Sequence, residues 1–189
     1  YKAAYLIIAE AVENRDDFHT TAVKKKYHEN VKPGRFLIVK GSNNNDIINT
    51  VRSQNRPIKV TFNNQERLEN LAGRLSQQME PDSLSLLNAM TDPAFLKENG
   101  LDIHTALSVY LPNSYETYWN TSAEGFRDKM LGYHKQFWTA DRLAKAKKFD
   151  LTPSEVYTVA SIVQKETAKV DEMPRVAGVY LNRLSRGIK

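Results

Sequence analysis

Leu151-Thr-Pro-Ser-Glu-Val-Tyr-Thr-Val-Ala-Ser-Ile-Val-Gln-Lys-Glu166-Thr167 is the stretch whose pattern organises the rest of this chain. Thr152 is placed to N-cap a helix and Pro153 suits its first position. Glu155 stands three residues after the cap, where it closes a capping box. At ~100° per residue, Val156, Val159, Ala160, Val163 and Val170 fall on one face, and Thr158, Ser161 and Lys165 on the other. Glu166 falls between Val159 and Ile162, inside the apolar half. A carboxylate there loses hydration, so its charged form is disfavoured and its pKa is expected to rise. Such a glutamate can donate a proton near neutral pH. The plainer alternative is a boundary residue whose stem covers the core while its head reaches water.

Read as letters, Ala160-Ser-Ile-Val-Gln-Lys-Glu166-Thr167 is followed by Glu172-Met-Pro174-Arg-Val-Ala177-Gly-Val-Tyr-Leu-Asn182-Arg183-Leu184. Together they resemble the signature of the endolytic murein transglycosylases, the MltG or YceG-like family. That family's catalytic glutamate directly precedes the threonine, which corresponds to Glu166. The chain departs from the pattern at Gln164, where many relatives carry a second glutamate, on a different helical face. Leu111-Pro112-Asn113-Ser114-Tyr115 is similar to the family's Pro-x-Thr-Tyr element, with serine for threonine. Val31-Lys-Pro33-Gly34-Arg-Phe36, with Ser42 and the segment 46–52, resembles its small LysM-like subdomain, and Phe137-Trp138-Thr-Ala-Asp-Arg142 also matches.

The resemblance implies a lytic cut of the β-1,4 bond between N-acetylmuramic acid and N-acetylglucosamine within nascent peptidoglycan strands. It implies 1,6-anhydro-muramic ends, no cofactor, glycan strands as partner and peptidoglycan synthases as neighbours. It also implies a single-pass anchor in the inner membrane outside this stretch, a periplasm-facing catalytic part, and further family sequence beyond Gly187. Asn182, Arg183, Tyr115 and Thr167 are the candidate substrate-binding residues beside the catalytic candidate Glu166. Each has a plainer alternative. Arg183 suits a helix C-terminus electrostatically, Thr167 can back-bond within its helix, and Tyr115, Tyr118 and Trp119 can be core aromatics rather than a sugar platform.

The residues bear on the chemistry independently. A glycosidase of the usual kind needs two carboxylates about 5–10 Å apart. Glu155 and Glu166 lie about 16 Å apart along a helix of ~1.5 Å rise per residue, too far to flank one bond. Asp171 and Glu172 are better placed to cap the following helix before Pro174. A single acid that turns base suits intramolecular attack by a sugar hydroxyl, which needs neither a second carboxylate nor an activated water.

Along the chain, residues 1 to about 30 are expected to be helical, with Leu6, Ile7, Val12, Phe18, Ala22 and Val23 as core candidates. Pro33-Gly34 signals a turn and Arg35 to Val39 a strand. Gly41-Ser-Asn-Asn-Asn-Asp46 supplies turn and cap residues before the Ile47, Ile48, Val51 stripe. Ile58 to Phe62 alternates as a second strand. The expected fold class is therefore α+β: a small strand–helix–strand, LysM-like subdomain followed by a mainly helical catalytic portion. The expected domains are 1–63 and 64–189, the second C-terminally incomplete. Asn63-Asn64 is expected to open a helical stretch with Leu68, Leu71, Ala72 and Leu75 on one side, and Pro81-Asp82 to start another carrying Leu84, Leu86, Leu87 and Met90. A longer helical region is expected from Ala123 to about Ala146, supported by Phe126, Met130, Tyr133, Phe137 and Leu143.

Composition narrows the classes. The 189 residues are 41% hydrophobic and 26% charged, ordinary for a globular chain. No stretch approaches the ~20 apolar residues of a membrane span. Absence of cysteine excludes disulfides and thiolate metal sites. The histidines at 19, 28, 104 and 134 show no zinc spacing, and neither a phosphate-cradling glycine loop nor a nucleophile elbow around Ser161 is present. The net charge of +5 suits an anionic polymer such as a cell-wall glycan carrying acidic peptides. No recognition motif points to nucleic acid. A glycan-binding module without turnover and a helical interaction domain with a structural Glu166 are the rival classes.

Overall fold

The computed structural model describes residue 8 and residues 12–188. Its architecture is α+β, mainly helical, with one two-stranded antiparallel sheet among the described residues. The chain forms two compact units. The first comprises Tyr1–Gln65, Glu69–Leu86 and Asn113–Ala123, and the second comprises Glu66–Leu68, Leu87–Pro112 and Glu124–Lys189.

In the first unit, α1 (Arg15–Lys24) begins where the Asn14 side chain accepts from the backbone N–H groups of Asp16 and Asp17. α2 (Asn44–Ser53) starts the same way, with Asn43 accepting from the Asp46 N–H at 2.9 Å. Each cap satisfies amides that the helix itself leaves open. Phe18, Ala22, Tyr27, Ile47, Ile48 and Val51 form one buried cluster, with Val12, Val31 and Phe36 packed against it. β1 (Pro57–Phe62) alternates exposed and buried positions, turning Ile58, Val60 and Phe62 inward. Its partner is β2 (Asn113–Tyr118), in a register running from Pro57 opposite Tyr118 to Phe62 opposite Asn113. After α3 (Leu68–Ser76), the Gln78 amide accepts from the Thr61 N–H at 2.9 Å and donates to the Thr61 carbonyl at 3.0 Å. That clamp satisfies main-chain groups of β1 that a strand edge would leave to other chains.

Several expectations are corrected here. Leu6 and Ile7 lie outside the described residues. Val23 is 43% exposed while Phe18 and Ala22 are buried, so the apolar stripe of α1 is narrower than expected. Arg35–Val39 is not a strand, which removes the strand–helix–strand order of the expected subdomain. Leu37, Ile38 and Val39 are all exposed, so no alternating face is buried, and β1 pairs instead with β2. β2 went unpredicted because only Tyr115 and Thr117 of its six residues turn inward.

The second unit is helical. α4 (Ser83–Met90) enters it, followed by α5 (Pro93–Glu98), capped by Asp92. α6 (Ala123–Phe137) supplies the buried Phe126 and Met130. The Arg127 guanidinium lies 4.2 Å over the Phe95 ring and also meets Asp92 and Asp128. The expected continuous helical region is broken at Trp138: Thr139 caps a separate α7 (Ala140–Lys147), its hydroxyl accepting from the Arg142 N–H at 3.4 Å. α8 (Pro153–Glu166) and α9 (Met173–Ser185) complete the unit. Among the described residues no helix is long and apolar enough to cross a membrane.

Candidate active site

The expected capping box sets the start of α8. The Glu155 N–H donates to Thr152 Oγ1 at 3.3 Å, while the Thr152 N–H donates to Glu155 Oε2 at 2.7 Å. The Thr152 N–H and hydroxyl, both donating to Glu155 Oε2, hold the Glu155 carboxyl below its usual range and commit it to the helix end. Ser154 meets Ser108 at 3.2 Å, tying the first turn of α8 to the 3-10 turn Ala106–Val109. Farther along, the Lys165 ammonium pairs with Glu66, whose carboxyl is held low first by that hydrogen bond.

Glu166 is the last residue of α8, with Thr167 at its C-cap. The expected burial of Glu166 is corrected: the residue is exposed. The reason lies in the apolar face meant to bury it. Only Val163 of that face is buried. Val156, Val159, Ala160 and Val163 instead line an open cavity of about 570 Å³, whose other walls include Phe149, Met173 and Ala177. Gln164 faces that cavity, whereas Glu166 is not among its lining residues.

The turn after Glu166 is closely tied. Thr167 Oγ1 donates to Glu172 Oε2 at 2.9 Å and accepts the Lys169 N–H at 3.1 Å, and Lys169 Nζ reaches Glu172 Oε1 at 3.1 Å. Glu172 occupies the N-cap position of α9 without a side-chain cap bond; its carboxylate serves the turn. With the chain so reversed, the Tyr180 hydroxyl, fourteen residues on, donates to Glu166 Oε1 at 2.9 Å. That bond is the leading cause of a phenol pKa raised above the ordinary tyrosine value, with the Arg183 charge acting against it.

Glu166, Thr167, Tyr180 and Arg183 thus share one corner of the second unit. Asn182 and Arg183 are exposed in the last turn of α9. Tyr115 belongs to the first unit, 6% exposed and stacked on Phe62 with ring centroids 5.6 Å apart. Tyr180 was missed as a site residue because its partner is joined through the reversed chain rather than by helical spacing. Its position inside the Ala177-Gly-Val-Tyr-Leu-Asn182 string was the available signal. His134 accepts the Trp138 indole N–H at 3.0 Å, and burial holds its pKa below the usual histidine value. Chemically, the corner offers one water-accessible carboxylate gripped by a phenol, with Glu155 occupied at the other end of the same helix.

The sequence model of the YceG-like family matches residues 3–189. Two curated relatives share the description endolytic murein transglycosylase. The one from Streptococcus pneumoniae serotype 2 (strain D39 / NCTC 7466) is 35% identical over 75 residues. The one from Streptococcus pneumoniae (strain ATCC BAA-255 / R6) is 37% identical over 76 residues. Each match covers 40% of this chain and 13% of the relative's length. No solved structure matches the chain.

Proposed function

The chain belongs to the YceG-like family, and on that premise we propose that it carries the acid–base glutamate of an endolytic murein transglycosylase, Glu166. Protonated Glu166 gives its proton to the glycosidic oxygen between N-acetylmuramic acid and N-acetylglucosamine. The C1–O bond breaks, and the sugar's own acetamide stabilises the cation developing at C1. The resulting carboxylate takes the proton of the muramyl 6-hydroxyl as that oxygen attacks C1 and closes the 1,6-anhydro ring. The acid is regenerated and no water is consumed. Because the nucleophile belongs to the same sugar, its attack is entropically favoured over that of free water.

The observation that carries this reading is the tethered carboxylate: Glu166 closes α8 accessibly, with the Tyr180 hydroxyl fixing one oxygen. Tyr180 acts as a positioning residue, and Thr167, Asn182 and Arg183 are the nearby candidates for holding the strand. The same reading places the protein at the inner membrane facing the periplasm, beside peptidoglycan synthases. The exposure of Glu166 equally suits a second reading, a peptidoglycan-binding module without turnover.

Mass spectrometry of strands incubated with the whole protein, wild type beside Glu166→Gln, separates the two. We expect internal cuts ending in 1,6-anhydro-muramic acid, reduced at least about a hundredfold in the variant. Normal turnover by Glu166→Gln would sink the assignment. Reducing-end products would mean hydrolysis by water, and binding without products would favour the module.

A further inference from the structure

A cleft of about 510 Å³ in the first unit is lined by Gly34, Arg35, Ile58, Lys59, Gln78 and Trp119. Its volume is that of a small-ligand site, and its lining combines two cations, an indole and an amide with no carboxylate. Among the described residues, neither Arg35 nor Lys59 stands within ion-pair distance of an acid. Glu116 is opposite Lys59 across the sheet and tempers its charge, which leaves Arg35 as the stronger partner for an anion.

The walls are held in place. The Arg35 N–H donates to Asn55 Oδ1 at 2.9 Å, and the Arg35 carbonyl accepts from the Arg56 N–H at 2.8 Å. Asn55 Nδ2 in turn donates to Asn120 Oδ1 at 3.0 Å, and Asn120 Nδ2 to the Pro33 carbonyl at 3.2 Å. The main-chain carbonyl of Trp119, next to Asn120, accepts from the Glu80 N–H at 2.9 Å. Gln78 is fixed by its clamp on Thr61. Gly34 admits this arrangement because a Cβ there would come within 2.7 Å of the Asn55 side chain.

We infer that this cleft binds a carboxylate-bearing peptide attached to a glycan, Arg35 and Lys59 taking the carboxylate while Trp119 covers an apolar sugar or peptide face beside it. The Arg35 main chain is fixed at its N–H and its carbonyl, so its guanidinium, whose paired N–H donors suit a carboxylate, is presented from a set position, and an indole supplies broad apolar contact at small entropic cost. The identity of the ligand rests on the proposed function; the presence of an anion site does not. The cleft would retain a strand by its peptides rather than by the bond to be cut.

The test uses the whole protein carrying Glu166→Gln, so that strands stay uncut. Its affinity is measured by calorimetry for peptide-bearing glycan strands and for the same strands stripped of their peptides. We expect peptide-bearing strands to bind more tightly, with Arg35→Ala plus Lys59→Ala weakening them about tenfold or more, as loss of a charge-assisted contact should. Both side chains are exposed, so an unchanged melting curve checks that the fold survives. Arg35→Lys should recover part of the loss. Equal affinity of the double variant, or equal affinity for stripped strands, overturns the inference. Anhydro products made by the wild type alongside unchanged binding by the double variant would end this inference and leave the transglycosylase reading standing. Cleft-dependent binding without such products would do the reverse.

Discussion

Tyr180 and Glu166 share a proton-bearing contact that titration can read. The hydrogen bond to Glu166 raises the Tyr180 phenol above the ordinary tyrosine value. A folded-state pKa above the unfolded one gives stabilisation that is complete below the unfolded value and lost as pH rises through the folded one. In an alkaline titration of phenolate absorbance, the difference between wild type and Tyr180→Phe should show a late-ionising tyrosine. Glu166→Gln should bring that tyrosine back toward ordinary values; a difference curve at the ordinary position would deny the contact. In catalysis, Tyr180→Phe should lower kcat about tenfold, the size of a lost hydrogen bond to a charged group, with KM little changed. A residue serving only the fold would leave kcat unchanged at temperatures where the variant stays folded. Tyr110 behaves differently: it is 2% exposed, and its hydroxyl has no hydrogen-bond partner among the described residues. Tyr110→Phe removes a buried polar atom without breaking a bond, so denaturant unfolding should show stability gained by about 1 kcal/mol. A loss of that size would mean that the hydroxyl has a partner.

For the elements, α8 is the most self-sufficient because its signals are local. Thr152→Ala deletes the cap and frees Glu155, and should cost about 1 kcal/mol in a denaturant melt. The Glu155 carboxyl is held low by Thr152. Its contribution is therefore present above the unfolded carboxyl pKa and lost as pH falls through the folded one, and Thr152→Ala should be less acid-sensitive than wild type. The same locality made this helix legible in sequence, as it did the cap residues of Gly41–Asp46 and the alternation of Ile58 to Phe62. What could not be read depends on partners distant in the chain. Arg35–Val39 carries strand-forming residues, but among the described residues no strand pairs with it. β2 is a strand because Pro57–Phe62 pairs with it. Glu166 follows helical periodicity into the apolar half, yet periodicity cannot tell whether a face is covered. Trp138 falls in a helical rhythm that the Thr139 cap interrupts.

On the scale of the molecule, the open cavity between the apolar residues of α8 and α9 is a sizeable unpaired surface. Contiguous exposed apolar surface of this kind binds hydrophobic probes, so the native protein should enhance the fluorescence of an anilinonaphthalene dye. Ala177→Trp, which puts bulk into the cavity wall, should lower that enhancement; an unchanged signal would place the dye elsewhere. The sheet has a consequence of another kind. β1 is complete once Phe62 is made, but its partner starts only at Asn113, and Asn120 must also arrive before Pro33 and Asn55 are joined. A chain made from its N-terminus at about 5–20 residues per second therefore holds β1 unpaired for several seconds on the ribosome. Mutations that slow synthesis between residues 63 and 112 should lengthen that exposure and raise aggregation of the nascent chain without changing the finished protein.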